Sequence, residues 1–473
     1  MLLAAALMVW EPRVSAQVES QKRAQEGPES IRQSVLQNLR LRNVAVQNAI
    51  VQRSAHETSI DLRMADKEQT LHLFPVSLRS PSFRLFVQDN AGAIREIVAP
   101  PTSTYRGWLG ENSNCVVAAT ISKDEVRAVI KAADGKFWHV QPVGAAGVSG
   151  GGKGLHAVYE SSDVIGDQGV CGVTGDPVAP VRAESAGGES PQPLVVGTVG
   201  RTEIAFDADF EFYQANGSDV DRTVADIEMI MNQVGLIYQN QVDICYALTA
   251  IIVRTAEPDP YTSTDKDTLL CEFRNEWNGY WFIPRDVAHL MTGKNINGNT
   301  IGLAYFAGVC NPVVSTCGGS SGSKGYGFSE SRYTTTLALR VSLTAHELGH
   351  NWNACHCDQM GCTGGGADAD CGIMNSVNNG SLVFGSRAVN SITSYRSSAT
   401  CLATCVNPVY VDWRNNGSQD GTLANPYKTV ESGVRNALVG GQVSIYSGTY
   451  PENIPINKSA TLTTRGGSIA IGQ

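Results

Sequence analysis

The sequence predicts a chain of three folded parts: a small β-rich domain, a central α/β (α+β) domain with a mixed sheet, and a C-terminal fragment of the parallel β-helix type. Three observations carry this prediction. The 473 residues exceed the size of one ordinary domain. Strand-like runs dominate residues 17–143, whereas strand and helix periods alternate over residues 195–405. After residue 405, short strands with Gly or Asn corners follow one short helix.

Composition and charge narrow the function classes. The chain is 42% hydrophobic and 17% charged, which suits a globular protein with a sizeable core. Its net charge is -9, and it lacks the basic stripe of a nucleic-acid-binding protein. No stretch of 18 apolar residues occurs, so we expect no membrane span.

The N-terminus carries the pattern of a signal peptide over residues 1–16. An apolar run from Leu2 to Trp10 precedes the small-residue pattern Val14-Ser15-Ala16, and we expect cleavage after Ala16. A positively charged segment before the run is missing, and the alternative is a merely apolar terminus. The protein is therefore expected to be secreted.

Cysteine usage agrees with export. Ten of the 12 cysteines lie between Cys245 and Cys405. An even number in an exported chain favours disulfides. Zinc ligation by cysteines is the alternative, but the spacing does not match paired C-x-x-C motifs.

The N-terminal domain is predicted from strand-like runs within residues 17–143. These runs are SIDLRM, LHLFPV, SFRLFVQ, CVVAATIS and VRAVIKAADGKFWHVQPV. Residues 144–194 are rich in Gly, Ser and Pro and are expected to form a flexible linker.

The central domain, residues 195–405, contains a periodic helix between Val220 and Tyr238 and a second long helix in TTTLALRVSLTAHELGHNWN. Residues 406–473 contain the helix YKTVESGVRNAL and the short strands QVSIYSGTY and ATLTTRG. A β-helix needs about three repeats or more to bury its core. We therefore expect either a truncated gene product or a partner that covers the last strand.

The second long helix carries the chemistry. His346 and His350 are four residues apart, which places both imidazoles on one helical face, and Glu347 lies between them in an H-E-x-x-H motif. His356 follows six residues after His350, so the chain must turn sharply between them. The turn requires a positive φ, for which Asn353 is the best non-glycine residue available.

These residues predict a catalytic zinc site. Such a site takes three protein ligands, here His346, His350 and His356, and leaves a fourth position for water. Zinc lowers the pKa of that water towards about 7. Glu347 would take its proton as general base, so that the water attacks a peptide carbonyl. The alternative is a group of three surface histidines at a helix end.

HELGHNWNACH followed by CGIMNS resembles the metzincin zinc peptidases, and more narrowly their adamalysin/reprolysin branch. The resemblance implies a zincin-type fold with a mixed sheet and an active-site helix, and a metalloendopeptidase of the EC 3.4.24 class. Met374 would be the Met-turn residue below the zinc. The sequence departs from the family where Asn353 replaces Gly, and where Cys357 replaces the Asp after the third His, with Asp358 one position later.

The resemblance extends upstream of the motif. DVAHLMTGKNINGNTIGLAYFAGVCNP is similar to the family's edge-strand segment, which implies that Gly302, Leu303 and Ala304 contact the substrate main chain. TYRGWLGENSNCVVAATIS and FWHVQPV are similar to its propeptide, so residues 17–143 are expected to form a propeptide domain.

Two further sites follow from the resemblance. Calcium ligands of the family map onto Glu203, Asp286 and Asn407, all oxygen donors, although such groups are common on surfaces. Cys171 lies where the family's prosegment supplies a thiolate to the zinc, a cysteine switch that keeps a zymogen silent. The alternative for Cys171 is a disulfide with Cys115.

The sequence thus predicts a secreted zinc metalloendopeptidase that is made as a zymogen and acts on protein or peptide substrates. One alternative is a non-catalytic adhesion or binding protein with the zinc domain as scaffold. Another is a protein targeted to a glycan surface through its tail. The presence of Glu347 favours the enzyme, since a metal site that has lost its catalytic activity has no chemical need for that carboxylate.

Overall fold

The structure is a computed structural model. It describes residues 28–53, 58–110, 112–123, 125–148, 154–166, 169–173, 199–311, 315–317, 320–359, 371–405, 409–419, 421, 425–437, 441–454 and 460–472. The predicted signal peptide, residues 1–16, lies outside these ranges. Among the described residues, no helix is both long enough and apolar enough to cross a bilayer.

The N-terminal part of the chain is built almost entirely from strands. Its elements are α1 (Pro28–Asn38), β1 (Ala45–Asn48), β2 (Ile50–Arg53), β3 (Thr58–Met64), β4 (Lys67–Pro75), β5 (Arg79–Gln88), β6 (Ile94–Ile97), β7 (Thr104–Leu109), β8 (Asn112–Ser122), β9 (Glu125–Lys131), β10 (Phe137–Pro142), β11 (Leu155–Glu160) and β12 (Val170–Cys171).

Nine of these strands form one antiparallel sheet in the order β1-β11-β10-β9-β8-β7-β4-β3-β2. The burial of side chains alternates along β3, as expected for a strand with one face in the core. Thr58, Ile60, Leu62 and Met64 are buried, and the residues between them are more exposed. The buried face joins a cluster of aliphatic residues from all parts of the sheet. The β-rich N-terminal part therefore has its own hydrophobic core.

The predicted linker is wrong over part of its length. Leu155–Glu160 is strand β11, which pairs with β1 and β10 and is buried in its middle four residues. Short 3-10 turns flank it at Val143–Ala146 and Ser161–Asp163. The Gly- and Ser-rich neighbours suggested a linker, but LHAVYE carries the apolar and aromatic residues of a strand. Residues 174–194 lie outside the described residues.

The central part alternates strands and helices. Its elements are β13 (Val199–Ala208), α2 (Phe210–Ala215), α3 (Val220–Val242), β14 (Ile244–Arg254), α4 (Lys266–Asn278), β15 (Val287–Met291), β16 (Thr300–Ala304), β17 (Ser315–Cys317), β18 (Ser320–Gly322), β19 (Tyr326–Ser329), α5 (Leu337–Asn351), α6 (Ser386–Ser398) and β20 (Ala403–Cys405).

The central sheet is mixed, in the order β12-β16-β19-β15-β13-β14-β5-β6. Strands β19, β15, β13, β14 and β5 run parallel, whereas β16 is antiparallel to β19. Helices α3 and α5 supply apolar residues to one core cluster on this sheet, and α4 supplies residues to a second cluster. This mixed α/β arrangement is consistent with a zincin catalytic domain.

The sequence placed the run SFRLFVQ in the N-terminal β-rich domain, but in the structure this run does not belong to the N-terminal sheet. It forms most of β5, which pairs in parallel with β14 of the central sheet. Leu85 and Val87 enter the central core, and Gln88 Oε1 accepts a hydrogen bond from buried Arg254 Nη1 at 3.2 Å. The N-terminal region thus supplies β5 and the edge strand β6 to the central sheet.

The C-terminal part has a separate small core. Strand β21 (Val409–Val411), helix α7 (Val430–Asn436), strand β22 (Gly441–Tyr450) and strand β23 (Ala460–Ile471) follow in chain order. The three strands form one parallel sheet in the order β21-β22-β23, with buried valines at their centre. The parallel direction is that of the predicted β-helix, which stays a prediction.

Replacement of Leu85 by Ala tests the role of β5 in the central sheet. Leu85 is fully buried in the central core. We expect Leu85→Ala to lower the free energy of unfolding by about 2–5 kcal/mol, and to speed amide hydrogen exchange in Ile251–Val253 of β14. The control Val98→Ala, at a side chain that is 94% exposed, should stay within about 0.5 kcal/mol. Unchanged exchange in β14 would contradict the shared sheet.

Candidate metal centre

Helix α5 is held at its first turn and in its middle by residues distant in sequence. At its first turn, the Leu337 N–H donates to Gln141 Oε1 of the N-terminal sheet at 2.9 Å. Arg340 makes two hydrogen bonds to Asp226 of α3, at 3.1 and 2.6 Å. Tyr238 of α3 donates its hydroxyl to the carbonyl of Ala345 at 2.8 Å. These contacts fix the helix that carries the H-E-x-x-H motif.

The sharp turn after α5 is confirmed at the predicted residue. Asn353 has a φ of 68°, in the left-handed region. Its N–H donates to the carbonyl of His350 at 2.8 Å, and the Ala354 N–H donates to the carbonyl of Gly349 at 2.9 Å. This hydrogen-bonded reversal ends the helix and brings His356 back towards it.

The three predicted histidines meet at one point. The Nε2 atoms of His346 and His350 are 3.0 Å apart, those of His346 and His356 are 3.1 Å apart, and those of His350 and His356 are 3.2 Å apart. All three side chains are buried. Ligand nitrogens around a tetrahedral zinc ion would lie about 3.3 Å from one another, close to this spacing.

The outer ring nitrogens decide the protonation of the site. His346 Nδ1 lies 2.7 Å from the carbonyl of Ile373, and His350 Nδ1 lies 2.7 Å from the carbonyl of Ala354. Because a carbonyl only accepts, each Nδ1 carries the hydrogen. Burial, together with neighbouring His356, lowers the pKa of His346 to about 3, so this ring is neutral.

The histidines therefore fit a metal ion. Neutral rings protonated at Nδ1 leave bare acceptor nitrogens at Nε2, and three such acceptors at this distance repel one another. A cation between them removes the repulsion, and a neutral imidazole is the form that ligates a metal. Their carbonyl partners are of the kind that orients metal-bound histidines.

Met374 lies beneath the helix that carries the first two histidines. Its side chain is fully buried, and a Cβ on Gly349 would approach its Sδ to 2.5 Å. Gly349 therefore lets the methionine come up against the helix backbone. The preceding residue, Ile373, holds His346 through its carbonyl. The Met374 segment thus both supports and orients the histidine site.

The departure after the third histidine has a local consequence. Cys357 forms a disulfide with Cys371, which joins the His356 loop to the segment before Met374. Asp358 accepts hydrogen bonds from Ser376 N at 2.9 Å and from Ser376 Oγ at 2.5 Å. A covalent and a charge-assisted link therefore tie the third histidine to the methionine turn, a connection that sequence reasoning missed.

Glu347 lies beside the histidines, fully buried on α5. Burial raises the pKa of its carboxyl to about 8. Its Oε1 has no hydrogen-bond partner among the described residues. A Cβ added at Gly302 would come within 2.3 Å of this oxygen. Only glycine lets edge strand β16 approach the carboxylate so closely, which the sequence alone did not reveal.

Cys171 brings strand β12 into the same site. Its Sγ lies 3.4 Å from His350 Nε2 and 3.5 Å from Glu347 Oε2. The sulfur and the three Nε2 atoms all lie within 4.8 Å of one another. The predicted switch cysteine is therefore at the point where the three imidazoles converge.

The strand that carries Cys171 lies between two segments of the central domain and hydrogen-bonds to both. On one side β12 pairs in parallel with β16, and the Gly172 N–H donates to the carbonyl of Gly302 at 2.8 Å. On the other side, the Cys171 N–H donates to the carbonyl of Ser376 at 3.0 Å. The predicted substrate strand, with Gly302 and the buried residues Leu303 and Ala304, is thus occupied at its outer edge.

The cysteines agree with an oxidised protein. Disulfides join Cys271 to Cys317 and Cys310 to Cys401, in addition to the Cys357–Cys371 pair. The structure leaves Cys115 and Cys171 as free thiols. The alternative disulfide between these two residues is therefore wrong.

The predicted calcium ligands are only partly described. Glu203 and Asp286 are neighbours, since the Glu203 N–H donates to Asp286 Oδ2 at 2.8 Å. Glu203 Oε1 also lies 3.4 Å from Arg201 Nη2. Asn407 lies outside the described residues, so the structure does not bring the three together.

A mixed α/β domain with an H-E-x-x-H helix and a third histidine after a left-handed turn has the character of a metallopeptidase. Residues 201–395 match the family model Reprolysin_5, Metallo-peptidase family M12. The chain is 27% identical over 163 residues to a snake venom metalloproteinase, trimerelysin-2, of Protobothrops flavoviridis, covering 34% of this chain and 75% of that protein.

A second relative is a zinc metalloproteinase/disintegrin of Bitis gabonica. It is 35% identical over 96 residues, which is 18% of this chain and 26% of that protein. The chain thus spans about a quarter of this second relative. Together the similarities support the adamalysin/reprolysin family for the central domain, and a zinc metalloprotease.

Replacements of Asn353 test the turn that positions His356. Asn353→Gly keeps the backbone conformation accessible, whereas a β-branched residue in the left-handed region is strained. We expect Asn353→Val to be less stable than Asn353→Gly by about 1–2 kcal/mol, measured by chemical denaturation. Both variants lose the amide side chain, so their difference isolates the backbone. Equal stabilities would show that the turn does not require a positive φ.

Proposed function

We propose that the protein is a secreted zinc-dependent metalloendopeptidase made as a latent precursor. The observation that carries this proposal is the convergence of three neutral imidazoles beside a buried glutamate, within a domain similar to reprolysin-type metallopeptidases. His346, His350 and His356 would hold the zinc. The proposed substrates are proteins or peptides.

Zinc, when bound, supplies a Lewis acid that polarises the scissile carbonyl. Glu347 is placed to act as general base: it takes a proton from water and passes it to the leaving amine. The water oxygen forms the new bond to carbon as the C–N bond breaks, and the products are a carboxylic acid and an amine.

Edge strand β16 would position the substrate. Its outer edge already accepts a main-chain hydrogen bond from Gly172 through the carbonyl of Gly302. An extended peptide in place of the prosegment would use the same main-chain groups of Gly302, Leu303 and Ala304. Gly302 also brings that peptide close to Glu347, because a side chain there would displace the carboxylate.

Latency would arise from the Cys171 segment. Its sulfur stands among the three Nε2 atoms, and β12 covers the outer edge of β16. A thiolate is a strong zinc ligand and would take the position that water needs. Cleavage between residues 173 and 199, followed by departure of this strand, would open the site.

Export and two further binding sites belong to the same proposed function. Export is supported by the disulfides and by the signal-peptide pattern at residues 1–16. A calcium site at Glu203, Asp286 and Asn407, and attachment of the tail to glycans, are supported by the sequence alone. The catalytic proposal depends on neither.

Replacement of Glu347 tests the proposed general base. We expect Glu347→Gln to lower the rate of casein hydrolysis by the processed protein about 100- to 10,000-fold, because the amide cannot take a proton. Zinc content, measured by plasma mass spectrometry, should not change, since Glu347 is not a ligand. A variant that keeps its zinc and remains active would refute this role.

Replacement of Cys171 tests latency. We expect the unprocessed Cys171→Ala chain to hydrolyse casein, whereas the unprocessed wild-type chain does not. Cys115→Ala is the matched control, because Cys115 is also a free thiol of the N-terminal region but lies buried in β8. If Cys171→Ala stays as latent as the control, the cysteine switch is wrong.

A further inference from the structure

A second cavity lies away from the histidine site, where the N-terminal sheet, the central domain and the tail meet. Its volume is about 600 Å³, within the range of small-molecule sites. Much of its wall is apolar, with Val76, Leu78, Met231, Tyr246, Leu248 and Val434 among the lining residues. Arg79, Arg106, Arg201 and Arg435 also line it.

Arg106 is the most unusual residue in this wall. It lies on β7, it is only 7% exposed, and its guanidinium has no ion pair or hydrogen bond among the described residues. A Cβ on Gly235 would lie 3.2 Å from its Nη2, so the group is packed against helix α3. Burial lowers the pKa of Arg106 to about 9. A nearly buried charge without a partner is costly, and an anion in the cavity would offset that cost.

Two other arginines line the same cavity. Arg79 spends Nε on Glu228 and Nη1 on the carbonyl of Pro100, but its Nη2 is buried without a partner among the described residues. Arg201 uses Nη2 for Glu203, whereas its Nε is also buried without a described partner. Three guanidinium groups therefore line one cavity, and among them Arg106 is the one without a partner among the described residues.

We propose that this cavity binds a small amphiphilic anion, with a carboxylate among the arginines and an apolar chain against the aliphatic wall. The Arg106 guanidinium is cationic, so an anion satisfies it better than water does. The apolar wall adds a requirement that inorganic anions do not meet. A fatty acid of medium chain length has both parts.

The position of the cavity gives the ligand a structural role. Arg79 and Arg106 belong to the N-terminal region, whereas Arg201 and Tyr246 belong to the central domain. A carboxylate that pairs with both sides would stabilise their association, since a ligand that binds only the assembled form shifts the equilibrium towards it. This inference does not depend on peptidase activity.

Titration of the unprocessed chain with decanoate tests the site. By calorimetry, we expect one decanoate to bind per chain and to raise the unfolding temperature. Decan-1-ol, decyltrimethylammonium and inorganic phosphate each lack the charge, its sign or the apolar chain, and should bind at least about tenfold more weakly. Phosphate binding as tight as that of decanoate would overturn the amphiphile, and failure of decanoate to bind would overturn the site.

Variants of Arg106 locate the carboxylate. Arg106→Gln should weaken decanoate binding about tenfold or more, while Arg106→Lys, which retains the charge, should weaken it less. Arg63→Gln is the matched control, because Arg63 lies exposed on β3 of the same sheet. Without decanoate, Arg106→Gln should unfold at no lower temperature than wild type, since it removes an unpaired buried charge. Unchanged binding in the folded Arg106→Gln chain would refute the proposal.

Discussion

The convergence of three imidazole nitrogens on one point is the geometric constraint on which the histidine site depends. The Nε2 atoms of His346, His350 and His356 lie 3.0 to 3.2 Å apart, a spacing that three acceptors keep only when their surroundings hold them. Backbone carbonyls fix the first two rings, the left-handed turn at Asn353 returns the third, and Met374 fills the space beneath.

Local sequence predicts local geometry well in this protein. The spacing of His346 and His350 follows from the helical period, and the turn at Asn353 follows from the sharp change of direction before His356. The pairing partners of a strand cannot be predicted in this way, because the strand's own periodicity and composition are the same whichever strand lies beside it. SFRLFVQ is a strand as predicted, but nothing in its residues indicates that it joins β14 rather than β4. The strand LHAVYE was not predicted, because the residues around it in the sequence are rich in Gly and Ser.

The contacts that the sequence did not reveal share one property: each joins residues that lie outside one compact motif. Gln141 caps α5 from another domain, Gly302 makes room for Glu347, and Ser376 binds Asp358. A buried glutamine or a strand glycine has many ordinary explanations, so neither residue type indicates its partner. The metal ligands were accessible because their motif is compact, whereas the groups that orient them come together only through the tertiary fold.

The pairing of β5 with β14 bears on the order in which the protein folds. Gln88 and Arg254 touch although 166 residues separate them, and such distant contacts make folding slow because a long loop must close first. During synthesis the N-terminal strands leave the ribosome well before β14 does. The hairpin of β5 and β6 can therefore form before β14 is available to pair with it. The same residues would be harder to bring together in a chain whose two halves were exchanged, even though every local element would be retained.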